Sequence, residues 1–156
     1  MKTRSFRKDK INVITLGCSK NLVDSENLIT QLRGNDFSVV HDSPDEDANV
    51  VIINTCGFID VAKKESIDAI VEYAGIKKSG GLDKLYVTGC LSQRYKDELE
   101  QEIPEVDAFF GTLEMPALLA KLEADYKYEL LGERQITTLP HYAYLKISEE
   151  IGRAHV

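Results

Sequence analysis

Three cysteines, Cys18, Cys56 and Cys90, are the only thiols in this chain of 156 residues. Each stands where a strongly apolar run gives way to a helix-like pattern. Val13-Ile14-Thr15-Leu16 precedes the first, Val50-Val51-Ile52-Ile53 the second, and Leu85-Tyr86-Val87-Thr88 the third. No CxxC pair occurs, so the local signatures of zinc fingers and ferredoxins are missing. Any ligand that the thiols share must be gathered by the fold.

Three thiolates leave one coordination position open. On zinc that means a water; on a 4Fe-4S cluster it means one iron without a protein ligand. An open position suits chemistry better than structural stapling. Each cysteine lies just before or at an expected helix N-terminus, where partial positive charge favours thiolate, and Lys20 adds to this near Cys18. Gly17, Gly57 and Gly89 flank the cysteines and let the backbone come close to a bulky ligand. Two plainer readings stand beside this one: a redox pair, or small apolar filler in a cluster-free α/β interaction module.

The elements that must position the thiols follow from periodicity. Residues 11–16, 37–40, 50–54, 84–88 and 106–110 read as short buried strands. Helices are expected over 19–33 (with Ser19 as its cap), 59–77, 91–103 and 116–122, the last with Pro116 in its first turn. Asp24, Ser25 and Glu26 read as first-turn helix residues. Strands joined through helices give an α/β fold: a five-stranded parallel sheet in a flavodoxin-like three-layer sandwich, order 2-1-3-4-5. In that order the strands before the cysteines are neighbours, and all three thiols leave the carboxyl edge, where such sheets bind ligands.

Residues 126–131, 135–139 and 142–147 are β-prone, with Tyr142 and Tyr144 expected on a strand face. The domain is therefore drawn over 1–124. Residues 125–149 read as a linker and opening strand leading into a domain absent here. Residues 150–156 carry no pattern and read as a non-native tail.

Hydrophobic content of 43% and charged content of 29% are those of a globular chain. The net charge of −7 argues against general affinity for nucleic acid. No apolar run reaches the length that spans a bilayer, and residues 1–10 lack the apolar segment of a secretory signal. A cytoplasmic location is expected, in which thiols stay reduced and metal binding outweighs disulfides. No GxGxxG or P-loop pattern supports nucleotide binding. His41, His141 and His155 are scattered and read as inert.

The cysteine segments resemble a known family. Leu-Gly-Cys-Ser-Lys-Asn-Leu-Val-Asp-Ser-Glu (16–26), Asn-Thr-Cys-Gly-Phe-Ile-Asp (54–60) and Val-Thr-Gly-Cys-Leu-Ser-Gln-Arg-Tyr (87–95) are similar to the amino-terminal domain of radical-SAM methylthiotransferases. Gly-Cys-Ser-Lys-Asn and Asn-Thr-Cys-Gly-Phe-Ile resemble the branch that modifies a ribosomal protein. The tRNA-modifying branch typically reads Gly-Cys-Gln-Met-Asn and Asn-Thr-Cys-Ser-Val-Arg. The resemblance implies that Cys18, Cys56 and Cys90 hold an auxiliary 4Fe-4S cluster. It implies that the whole enzyme adds a methylthio group to the β-carbon of an aspartate in small-subunit ribosomal protein twelve. SAM and a second cluster would be bound by a radical-SAM domain. The CxxxCxxC motif of that domain does not follow Glu149, so this chain alone is not expected to catalyse the reaction. A zinc-binding module remains the alternative.

Overall fold

The computed structural model of the chain describes residues 9–44, 47–57, 59–130, 134, 136–141 and 143–146. Five parallel strands, β1 (Lys10–Thr15), β2 (Ser38–His41), β3 (Val50–Thr55), β4 (Lys84–Gly89) and β5 (Ala108–Phe109), form one sheet in the order β2-β1-β3-β4-β5. The helices are α1 (Ser19–Gly34), α2 (Asp60–Lys78), α3 (Cys90–Glu102) and α4 (Met115–Lys121). Topology and class are those expected from the alternating pattern.

Period-2 alternation within the central strand divides the core between two faces. Val50 and Ile52 of β3 pack with Leu28, Ile29 and Leu32 of α1 and with Leu118 and Leu119 of α4. Val51 and Ile53 pack on the opposite side with Ile70 and Ala74 of α2 and with Leu91 and Leu99 of α3. Every residue of β3 is buried, which explains its unbroken apolar run: a parallel strand covered by helices on both faces has no wet side. No helix among the described residues is long and apolar enough to cross a membrane.

The register sets the cysteine spacing. Thr15 pairs with Asn54, Asn54 with Thr88 and Thr55 with Gly89. Three adjacent strands thus end level with one another, and their following loops emerge side by side.

Four expectations need correction. Ser19 is the first residue of α1; Cys18 occupies the cap position, and no side chain caps the helix. The fifth strand is confined to Ala108–Phe109. The β-prone run 126–131 contains a short 3-10 helix at Tyr128–Leu130. Residues 136–139 and 143–146 form no strand. β-Branched and aromatic content supplies a tendency to extend, but a strand exists only where it pairs, and here Arg134, Thr137 and Lys146 bind side chains of α1 instead. The other expected positions there, including Tyr142, lie outside the described residues, as does the 150–156 tail.

Candidate metal centre

Cys18 caps α1 in an extended conformation, its carbonyl accepting the amides of Asn21 at 3.1 Å and Leu22 at 3.3 Å. Cys56 follows the last residue of β3 and is buried. Its N–H donates to Ser66 Oγ at 3.0 Å, and that hydroxyl donates back to the Cys56 carbonyl at 3.0 Å. Ser66 lies on the inward stripe of α2 with Ala62, Ile70 and Ala74. Cys90 is the first residue of α3 and is half-buried. The three thiols line one cleft of about 380 Å³, together with Gly17, Lys20, Ile59, Val61, Ala62 and Glu65. Ile59 and Val61 are exposed, Val61 by 78%, and form an apolar rim.

Two glycines make the convergence possible. Gly17 has φ +90°, and a Cβ there would lie 2.9 Å from Cys56 Sγ and 2.3 Å from Cys56 Cβ. Any larger residue would press on the second cysteine. Gly89 has φ +101°, and a Cβ there would meet the Thr55 carbonyl oxygen at 2.4 Å. Its lack of a side chain lets β4 run close beside β3 and turn directly into Cys90. Both glycines make room for the protein's own backbone and thiols, a nearer cause than room for a ligand.

The electrostatics differ from expectation at one thiol. Burial pushes the Cys90 thiol above its ordinary pKa; the Lys20 ammonium pulls it down, and the thiols of Cys56 and Cys18 and the Asp24 carboxylate push it further up. Desolvation is the largest of these influences. Lys20 lines the same cleft, and its charge acts on the third cysteine.

The donor set suits a soft metal: three cysteines of identical chemistry line one opening. Among the described residues, no three His, Cys, Asp or Glu side chains are gathered closely enough to hold a single metal ion. One tetrahedral zinc, with Zn–S of about 2.3 Å, draws its sulfurs to within about 3.8 Å of each other.

Beneath the cysteines lies a polar layer that periodicity alone does not disclose. Asn54 donates to Ser25 Oγ at 3.0 Å, Thr15 Oγ1 donates to Ser25 Oγ at 2.7 Å, and His41 Nε2 lies 2.7 Å from Thr15 Oγ1. His41, read as inert, is therefore part of the support. Glu26 is only 1% exposed and takes an ion pair from Arg134 at 2.9 Å. It is not a first-turn helix residue facing water. A signal existed in the sequence: Asn21, Ser25, Glu26 and Ser66 sit at helical positions that an apolar stripe would otherwise occupy.

The profile of the family described as "Uncharacterized protein family UPF0004" matches residues 10–111, a span that holds all three cysteines. Proteins named ribosomal protein uS12 methylthiotransferase RimO are similar over nearly the whole chain. The one from Cytophaga hutchinsonii is 61% identical over 153 residues, covering 98% of this chain and 35% of the relative. That from Flavobacterium psychrophilum is 60% identical over 153 residues, with 98% and 35% covered. That from Bacteroides thetaiotaomicron is 52% identical over 148 residues, with 95% and 34% covered. The chain thus spans about a third of the length of these relatives, in line with the resemblance to an amino-terminal domain. With the family profile covering the sheet and every cysteine loop, the chain belongs to the family UPF0004.

Proposed function

We propose that this chain is the auxiliary-cluster domain of a radical-SAM methylthiotransferase, with Cys18, Cys56 and Cys90 as the three protein ligands of a 4Fe-4S cluster. The observation that carries the reading is the cleft of about 380 Å³ that all three cysteines line. The three cysteines follow neighbouring strand ends, so one guest lodged in the cleft lies beside all three loops. Such a cluster supplies an open iron able to carry the sulfur that is delivered to a substrate. The chain's own residues bring the three cysteines to one cleft, line the approach with Ile59 and Val61, and place Lys20 beside the site.

Relatives spanned to about a third of their length are named for methylthiolation of ribosomal protein uS12. On this reading the substrate is that ribosomal protein, and the partner in cis is a radical-SAM domain holding SAM and a second cluster. The location is cytoplasmic.

The test is anaerobic reconstitution with iron and sulfide. One brown, cluster-bearing chain is expected, with about four irons per chain. Replacing any one of Cys18, Cys56 or Cys90 with Ala should remove most of that iron. A colourless chain that takes up one zinc tightly and no sulfide would sink the reading in favour of a zinc-binding module. A chain that takes up neither metal would favour a cluster-free interaction module.

A further inference from the structure

Asn21 is 1% exposed and lies in the first turn of α1, three residues past Cys18. Its Nδ2 donates to two main-chain carbonyls, Leu16 O at 2.9 Å and Thr55 O at 2.8 Å. Leu16 belongs to the segment that leads into Cys18, and Thr55 immediately precedes Cys56. With both amide hydrogens used, the orientation of the side chain is fixed, and Oδ1 faces the third loop, 4.0 Å from Cys90 Sγ. The main chain closes the ring: Asn21 N–H donates to the Cys18 carbonyl at 3.1 Å, and the Asn21 carbonyl accepts Asn54 Nδ2 at 2.8 Å. One side chain therefore touches all three cysteine loops.

Packing alone does not account for an amide at this position. A buried amide is costly unless its groups are paired, and an apolar residue of equal volume would fill the space. What a leucine could not do is bind two carbonyls from different strand ends while remaining in contact with a third loop. Resting on the cysteine-site reading above, we infer that Asn21 is the positioning residue of that site. It braces the three loops at one spacing, so that a shared inorganic ligand meets all three sulfurs at once.

The brace is tested in the intact chain by comparing Asn21→Asp, Asn21→Ala and a matched control, Gln31→Ala. Gln31 is equally buried in α1 and also pairs with main chain, at Lys127, but it lies away from the cysteines. Asn21→Asp keeps the size and turns a donor into an acceptor facing two carbonyls. Asn21→Ser is the milder variant should Asn21→Ala fail to fold.

In metal-free protein, amide hydrogen exchange at Leu16–Cys18, Thr55–Gly57 and Gly89–Leu91 should rise together by about tenfold in the Asn21 variants. In Gln31→Ala it should rise only near Gln31 and Lys127. After reconstitution, the cluster of the Asn21 variants should yield to a chelator about tenfold faster than that of the wild type, and that of Gln31→Ala at the wild-type rate. Unchanged exchange at the three loops overturns the inference, as does a chelator rate that Gln31→Ala raises equally. A wild-type chain that loads no cluster would sink the ligand reading alone, because the exchange data would still decide whether Asn21 braces the loops.

Discussion

The carboxylate of Glu26, buried in the second turn of α1, receives the guanidinium Nε of Arg134 at 2.9 Å. Its other oxygen accepts both the amide and the hydroxyl of Thr137, each at 2.8 Å. Arg134 also donates to the Tyr144 carbonyl, and Lys146 pairs with Asp24 at 2.6 Å. The segment after the last helix is thereby tied to the helix that carries Cys18.

Removing one member of a buried pair leaves the other charge uncompensated. Glu26→Ala should lower stability by about 3 kcal/mol, read by urea denaturation. Lys146→Ala breaks a pair whose carboxylate, Asp24, is 22% exposed against 2% for Glu26, and should cost less, about 1 kcal/mol. Equal effects of the two would contradict the burial assigned to Glu26.

Gly89→Ala should destabilise the chain by about 3 kcal/mol, since its backbone region is nearly closed to other residues and the added methyl would strike main chain of β3. Gly80 also has positive φ, +90°, but has open space around it. Gly80→Ala should cost only about 1 kcal/mol. Thermal melts of the two variants, recorded side by side, check the contrast.

How much of this was legible in the sequence depends on the range of the cause. The continuous apolar runs of β1, β3 and β4 fixed the parallel sheet, and the strand order then put the three cysteine loops side by side. The role of Glu26 was hidden because its partners, Arg134 and Thr137, lie in a stretch with no periodicity. Composition alone made 126–131 look β-prone, yet Gln31 binds both the N–H and the carbonyl of Lys127, and the chain there coils into a 3-10 turn. The burial that raises the Cys90 thiol is set by the packed fold, whereas a helix terminus can be read from the sequence.

Ser66→Ala would strand both the N–H and the carbonyl of Cys56 in a buried setting. A loss of about 2 kcal/mol is expected, along with faster alkylation of Cys56 in the metal-free chain. Full protection of Cys56 in this variant would show that the hydroxyl does not hold that loop.

The raised pKa of Cys90 sets the sign of a pH effect. The folded chain holds this proton more tightly than the unfolded chain does. The associated stability is present below the unfolded thiol value and is lost as pH rises through the folded one. Iodoacetamide labelling of Cys90 in the metal-free protein should therefore have its midpoint above that of an ordinary thiol. Lys20→Ala should move the midpoint higher still, because the ammonium pulls it down. Mass spectrometry of the labelled peptide reads both shifts.

The level ends of β1, β3 and β4 also impose an order on biosynthesis. When the ribosome has released only the first two cysteine loops, the third wall of the cleft does not yet exist. A nascent chain can offer at most two sulfurs until Lys84–Gly89 has docked beside β3. Any guest that needs all three must wait for a finished sheet, so a partly made chain has no half-built receptacle to offer it.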